Sequence, residues 1–238
     1  IIDFGILSNL LIEFIDAKKE VLESTKKYKE LKKVCLDHLK MVKESIGVNT
    51  LDYASACYDV GKVYEHLKEG ELCVKYRLMG IDSLLKLEQS DKIKRALATA
   101  YGNLSHIYRN HLKDVENTII CAQKSLEYKE SFEKNKSYGI SLYNLGRAFA
   151  MNNEFKKSAD LIQKALLYFK ESSNKEIYQK SVLEVNLGII VNEFDKTTAE
   201  KLLKKSIKKI ESEDISIYIS TEVNKRIEIG KNILKLND

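Results

Sequence analysis

Apolar residues recur every three or four positions along almost the whole chain, and five short polar segments interrupt this pattern. The interruptions fall at residues 46–50, 90–91, 135–137, 172–174 and 212–214. They are rich in Ser, Asn, Asp and Thr, whose side chains accept hydrogen bonds from the free N–H groups of a first helical turn. No alternating apolar stretch is long enough to predict a strand. The pattern therefore predicts an all-α chain of five helix pairs and a terminal helix.

A short phrase repeats at a nearly constant interval. Its four copies are Asp59-Val60-Gly61, Asn103-Leu104-Ser105, Asn144-Leu145-Gly146 and Asn186-Leu187-Gly188. They are spaced about 42 residues apart, and one further step of that length reaches Ile229-Gly230. Such a period marks stacked units that are each too small to bury their own apolar face. The sequence thus predicts a solenoid.

A second small-plus-aliphatic pair follows each phrase after 18 to 20 residues. The copies are Gly80-Ile81, Ser125-Leu126, Ala165-Leu166 and Ser206-Ile207. Small residues at matching places on consecutive helices let the two backbones approach, and the bulky neighbours fill the groove beside the contact. Each unit is therefore predicted to be a helical hairpin.

Residues 143–169 resemble a tetratricopeptide repeat (TPR) almost throughout. The Asn-Leu-Gly phrase, the aromatic Phe149, the Asn152-Asn153 turn and the Ala165-Leu166 pair fall where that family has them. The chain departs from the family in having no Pro, in placing Leu142 where Trp is usual, and in a period longer than about 34 residues. The resemblance implies that the extra length extends the second helix of each repeat, as in the long-repeat members.

The resemblance implies one domain, a right-handed superhelix of TPR-like hairpins closed by a C-terminal capping helix. The predicted segments are a degenerate first hairpin (1–45), repeats at 51–90, 94–134, 137–172 and 177–212, and a capping helix at 216–236. The first hairpin is called degenerate because its first helix lacks the Leu-Gly phrase. The capping helix carries an apolar stripe made of Ile219, Val223, Ile227 and Ile233.

In the TPR family, the first helix of each pair lines a concave groove. Carried onto this sequence, the groove positions are Asp59, Lys62, Glu65, Asn103, His106, Arg109, Asn144, Arg147, Ala150, Asn186, Ile189 and Asn192. The expected ligand contacts among them are Lys62, Asn103, His106, Arg109, Asn144, Arg147, Asn186 and Asn192. A ladder of amides suits an extended peptide, and the basic members favour a carboxylate on that peptide. The alternative is structural, with each Asn hydrogen-bonded to the neighbouring repeat.

These features predict a non-enzymatic module that binds a peptide or partner protein in the groove. Low Pro content, repeats near forty residues and an Asn-lined groove resemble the sensor domains of bacterial quorum-sensing regulators. In that case DNA is contacted only through an upstream domain. Formation of a homodimer is an alternative that the sequence neither favours nor excludes. The carboxylate clamp of co-chaperone TPR proteins is disfavoured, because Ile140 and Asn144 stand where Lys and Arg are expected. A scaffold with a larger protein footprint and a nucleic-acid-binding repeat remain alternatives.

Charge and composition narrow the function classes further. The net charge of +5 arises from 40 basic and 35 acidic residues, an interspersed balance that does not favour nucleic acid. The sharpest basic cluster lies opposite an apolar helical stripe, which predicts a solvated face, with a phosphate or acidic partner as the alternative. The cluster comprises Lys201, Lys204, Lys205, Lys208 and Lys209.

Reactive residues are scattered. The four Cys have no Cys-x-x-Cys spacing, which favours reduced thiols in a cytoplasmic protein. No signal peptide or apolar run of about 20 residues is evident. The four His lack metal-site spacing, and no phosphate-binding loop or nucleophile motif occurs. We therefore expect no metal, no cofactor and no enzymatic activity.

Overall fold

The computed structural model describes residues 4–132, 134–212, 215, 218 and 220–237, with the backbone alone for residues 4–10, 236 and 237. Within this described part every regular element is helical, which confirms the all-α prediction. The chain divides into two compact units, Ile1–Asp114 (unit 1) and Val115–Asp238 (unit 2).

In its described residues, unit 1 has five helices and a π-helical turn. They are α1 (Phe4–Ser24), α2 (Tyr28–Ser45), α3 (Leu51–His66), α4 (Gly70–Leu85), α5 (Asp91–Ile107) and the π turn (Tyr108–Leu112). Each helix packs on the next in chain order, and the π turn contacts α4. The most completely buried side chains include Val60, Leu97, Leu104 and Ile107, so the apolar residues of the repeated phrase form the core.

The described part of unit 2 has six helices with given bounds. They are α6 (Val115–Glu130), α7 (Lys136–Met151), α8 (Phe155–Leu166), α9 (Asn174–Val191), α10 (Lys196–Ile210) and α11 (Thr221–Asn237). Consecutive helices pack together here too, and α11 contacts both α9 and α10. Ile162, Val185, Leu203 and Ile210 are almost completely buried between these helices.

Polar residues at the predicted interruptions cap the helices. The hydroxyl of Thr50 accepts from the N–H of Tyr53, and the hydroxyl of Ser90 accepts from the N–H of Ile93. Asn135 and Ser173 cap α7 and α9 in the same way. These four interruptions are therefore helix boundaries, as predicted, whereas residues 213 and 214 of the fifth lie outside the described residues.

The left-handed backbone conformation joins the two helices of a hairpin at Lys26, Lys68 and Asn153, with φ between 56° and 61°. Lys113, which directly follows the π turn, has the same conformation. Lys26 joins α1 to α2, so the first hairpin uses the same turn as the others although its sequence lacks the repeated phrase. Asn tolerates this conformation better than Lys, which lacks a side chain able to bond locally.

The small residues of the repeat lie at close helix contacts, which confirms their predicted role. A Cβ atom at Gly146 would lie 2.8 Å from Cγ1 of Ile162 and 3.1 Å from the carbonyl oxygen of Ser158. At Gly61 it would lie 2.9 Å from Cγ of Arg77, and at Gly188 2.8 Å from Cγ of Leu203. Only glycine therefore fits these three contacts without a shift of the neighbours.

Helix α11 supplies the predicted apolar cap. Val223, Ile227 and Ile233 pack against a cluster that includes Leu203 and Ile207 of α10. Residues 216, 217 and 219 of the predicted capping segment lie outside the described residues, so the Ile219 position of the stripe is not described.

Candidate ligand-binding surface

In unit 1, α1, α3 and α5 form a common surface, which we call face 1. Its lysine Lys19, on α1, is buried, and the ammonium donates to Asp59 at 2.7 Å and to Asp16 at 3.2 Å. Burial alone would lower the pKa of Lys19, but the hydrogen bonds and charges of these two carboxylates raise it instead. Lys19 Nζ also lies 2.9 Å from Nδ1 of His38 on α2. Burial and the charge of Lys19 lower the pKa of His38.

Lys62, an expected ligand contact, lies on face 1 and already has a partner. Its ammonium is 2.6 Å from Oε1 of Glu23 on α1, and Nε2 of His66 is 3.5 Å from the same oxygen. The hydrogen bond from Lys62 lowers the pKa of Glu23. This carboxylate, 39 residues away in sequence, was not identified as a partner from the sequence.

A buried arginine that sequence reasoning missed also belongs to this network. Arg77 on α4 is 5% exposed and donates from Nη2 to Oε2 of Glu65 at 2.7 Å. Its guanidinium lies 4.7 Å from the ring centroid of Tyr58. The other Glu65 oxygen is 3.6 Å from Nδ1 of His106. The ion pair accounts for the orientation of Glu65, which the sequence had placed in the groove.

The other expected contacts of unit 1 differ in accessibility. Asn103 is half-buried, and its amide donates to the hydroxyl of Tyr58 at 3.5 Å. His106 is exposed and lies beside the amide of Asn110. Arg109 is only 6% exposed, within the π turn, and donates from Nε to Asn110 at 3.3 Å. The expectation that Arg109 is displayed to a ligand is therefore corrected, because the π turn rotates it into the interior.

In unit 2, helices α7, α9 and α11 form the corresponding surface, which we call face 2. It contains a pocket of about 260 Å³ between these helices. The lining residues are Lys136, Ile140, Tyr143, Asn144, Phe169, Tyr178, Gln179, Val182, Leu183 and Val223. Asn144, a predicted contact, is half-buried, and its side-chain amide has no hydrogen bond within the described part of the chain. This pocket combines apolar walls with one open amide.

Arg147 lies close to this pocket. Its side chain is 17% exposed, and the guanidinium lies 5.6 Å from the ring centroid of Tyr143. Its nearest carboxylate oxygen belongs to the exposed Glu222 of α11, 3.7 Å away. Burial and the charge of Arg147 lower the pKa of Arg226, which lies on α11 with Glu222. Two guanidinium groups thus lie near one solvated carboxylate, which leaves a local surplus of positive charge.

The two remaining amides have other positions. Asn186 is 4% exposed, and its amide donates to the carbonyl oxygen of Val182 at 2.7 Å. This corrects its assignment to an open groove, because the amide is used within α9. Asn192 ends α9, where its backbone N–H donates to the carbonyl of Gly188, and its side chain is half-buried.

The basic cluster of α10 lies on a solvated face, as the sequence predicted. Four of its lysines are exposed, whereas Leu203, Ile207 and Ile210 of the same helix are buried. Lys209 and Lys180 lie 2.6 Å and 3.0 Å from the carboxylate of Glu171. Hydrogen bonds from these two lysines lower the pKa of Glu171 to about 2.

Other chemistry is sparse in the described part of the chain. All four cysteines are buried and free, and burial raises the pKa of Cys35 to about 12 and that of Cys57 to about 11. Among the described residues no group of three His, Cys, Asp or Glu is placed to hold a metal ion. Within the same residues, every helix is too short or too polar to cross a membrane.

The fold is that of TPR-like helical-repeat proteins, which confirms the resemblance inferred from residues 143–169. No family model matches the sequence, and neither does any curated protein. Among solved structures, BtubC (BKLC) from P. vanneervenii matches with a TM-score of 0.73 and 16% identity, covering 87% of this chain and 82% of that one.

Two further structures support the same fold. A Podospora anserina kinesin light chain with nearly identical TPR-like repeats matches with a TM-score of 0.69 and 9% identity, over 83% of this chain and 94% of that one. The apo form of RapI matches with a TM-score of 0.60 and 14% identity, covering 94% of each chain. At these identities the likeness concerns the fold.

Proposed function

We propose that the chain is a non-enzymatic module that binds a peptide or partner protein on face 2. The observation that carries this proposal is the open amide of Asn144, set between the apolar side chains of Ile140, Tyr143 and Val182. An amide both donates and accepts, so it pairs with the N–H and C=O of an extended backbone. The neighbouring pocket accommodates one apolar side chain of the ligand.

The charge beside the pocket selects among peptides. The exposed carboxylate of Glu222 lies near both Arg147 and Arg226, and its Oε1 is 3.7 Å from Nη2 of Arg147. A ligand carboxylate placed there gains charge-assisted hydrogen bonds from planar guanidinium donors. The preferred ligand is therefore an extended segment with an apolar residue next to an acidic one.

Face 1 contributes less to binding in this proposal. The ammonium of Lys62 forms an ion pair with Glu23 at 2.6 Å, and the amide of Asn103 donates a hydrogen bond to the hydroxyl of Tyr58. A ligand that used Lys62 would first have to replace this ion pair, which offsets much of what the new contact contributes.

The test uses peptides selected from a displayed library on the immobilised protein, with affinities then measured by fluorescence anisotropy. Asn144→Ala and Arg147→Ala should each weaken binding by ~1–3 kcal/mol, or about fivefold to 150-fold, because they leave ligand groups unsatisfied. Asn103→Ala is the matched control, since its amide already has a partner, and it should change affinity little. Reversing the charge of Lys204 and Lys205 on the solvated face should also have little effect.

The proposal fails if the solvated lysines matter and Asn144 and Arg147 do not. That result would favour a partner on the α10 surface, and strong salt dependence would then favour nucleic acid. Selection of a folded protein with a large footprint, and of no short peptide, would favour the scaffold alternative.

A narrower hypothesis is that the ligand is a signalling peptide and that the chain is the cytoplasmic sensor of a transcriptional regulator. It rests on the Asn-rich repeat phrases and the long repeat period, and the RapI-like fold and the four buried thiols are compatible with it. Peptides derived from small exported precursors of the same genome should bind face 2 at least tenfold tighter than scrambled versions. Equal affinity of native and scrambled peptides would contradict it.

A further inference from the structure

A second and larger pocket lies entirely within unit 1, between α3 and α5 with α4 beneath. Its volume is about 440 Å³, within the range typical of small-molecule sites. The rim is formed by exposed residues of α3 and α5, namely Ser55, Tyr58, Arg95 and Thr99, and the floor by buried residues of α4. None of the contacts expected from the TPR resemblance lines this pocket.

The wall of the pocket is almost wholly apolar. Seven lining residues have no polar side-chain atom: Leu51, Ala54, Gly80, Ile81, Leu84, Ala96 and Ala100. A concave apolar surface of this kind favours an apolar occupant, because burial removes both surfaces from water. An extended peptide would find few side-chain partners here for its backbone amides. A hydrocarbon chain needs none.

One charged group at the floor is held in place but incompletely bonded. Arg77 lines the pocket, with Nε donating to Sγ of Cys73 at 3.3 Å and Nη2 donating to Glu65 at 2.7 Å. Its remaining nitrogen, Nη1, is buried and has no hydrogen-bond partner among the residues that the structure describes. Stacking on Tyr58 further restrains the guanidinium. The result is a preorganised donor that lacks an acceptor.

The lining residues include two arginines, Arg77 and Arg95, and no acidic residue. We infer that this pocket binds a small apolar carboxylic acid, with its hydrocarbon part between α3 and α5 and its carboxylate accepting a hydrogen bond from Nη1 of Arg77. A carboxylate accepts more strongly than a neutral oxygen from a charged donor. This site is separate from face 2, so the inference does not depend on the proposed peptide binding.

The test compares octanoate with octanamide, which has the same chain length and no charge, by isothermal titration calorimetry. Octanoate should bind at least tenfold more tightly than octanamide to the wild-type chain. Ala96→Phe, which fills the pocket from α5, should abolish binding of both. Lys92→Phe introduces the same side chain at an exposed position of α5 outside the pocket, and it should leave both affinities unchanged.

A second variant tests the assigned donor. Arg77→Gln should reduce octanoate affinity to that of octanamide, and circular dichroism checks that the fold is retained. If this variant unfolds, the octanoate-to-octanamide ratio and the Ala96→Phe result still decide the matter without altering Arg77. The inference is overturned if neither probe binds, if the two bind equally, or if binding survives Ala96→Phe. It is also overturned if a short peptide ending in leucine binds this pocket and octanoate does not.

Discussion

Faces 1 and 2 use equivalent repeat positions for different purposes. On face 1, Lys19 and Lys62 each have a carboxylate oxygen within 2.7 Å, as does Arg77 on the adjacent helix α4. On face 2, Arg147 lies 3.7 Å from its carboxylate, and Asn144 has no side-chain hydrogen bond in the described chain. A repeat position thus determines where a side chain lies, whereas the neighbouring helix determines whether it stabilises the fold or is open to a ligand.

The partners explain the difference. Helix α1 supplies Glu23 opposite Lys62, and α3 supplies Asp59 opposite Lys19, so these charges are compensated within unit 1. Helix α9 presents Tyr178 and Val182 to Asn144 instead, and these side chains provide contact area but leave the amide open.

The largest expected effect tests what the two units share. Gly61→Leu in unit 1 and Gly146→Leu in unit 2 should each destabilise the protein by ~3 kcal/mol or more, because even a Cβ meets a neighbour at 2.9 Å or less in both places. Urea denaturation measures the effect. If one variant kept wild-type stability, the two units would not share the same hairpin contact.

The next effect separates buried from exposed charges on face 1. Lys19→Met should cost ~1–3 kcal/mol, because Asp59 loses its partner where the lysine side chain is 11% exposed. Lys62→Met is the matched control and should cost less than ~1 kcal/mol, since its side chain is 40% exposed and water screens the pair. Equal losses in the free energy of unfolding would show that burial does not distinguish these two pairs.

A smaller effect concerns pH. Every histidine of the chain lies in unit 1, and the pKa of His38 is lowered by burial and by Lys19, with Asp59, Asp16 and Asp52 acting against the shift. As pH falls below the ordinary value of 6.5, His38 therefore takes up a proton in the unfolded chain before it does so in the folded one. The contribution of His38 to the free energy of unfolding is thus complete above that pH and is lost below it.

The measurement compares the free energy of unfolding of wild type and His38→Gln at about pH 7.5 and about pH 5.5. The wild type should lose more stability between these two conditions than the variant does. An identical pH dependence would mean that His38 titrates alike in both states.

The smallest effect compares the left-handed turns of the two units. Lys68→Gly in unit 1 should stabilise by about 0.5–1 kcal/mol, because the strain of a non-glycine residue at φ 61° exceeds the added entropy of the unfolded chain. Asn153→Gly in unit 2 should change stability by only a few tenths of a kcal/mol, since Asn tolerates this conformation. Thermal unfolding measures both, and an equal gain would contradict the argument.

The site was only partly predictable from the sequence. Asn144 and Arg147 lie at the pocket or beside it, where their role as ligand contacts stays a prediction, whereas Asn186 and Arg109 are buried. Asn144 and Asn186 both precede Leu-Gly, so the sequence could not distinguish an amide that bonds within its own helix from one that remains open. The Arg77 site had no sequence signal, because its partners come from two different helices.

What the sequence determined by itself was the local and periodic part of the structure. Gly61, Gly146 and Gly188 mark the close contacts, and Thr50, Ser90, Asn135 and Ser173 mark helix starts, because capping and close approach depend on residue type at one position. Tertiary structure alone decided the pairing of Lys62 with Glu23 and the π turn, which packs His111 and Leu112 beside Gly70. Those features depend on which side chains come into contact across helices. Such contacts follow from how the helices pack, whereas a helical period specifies only which face of each helix is buried.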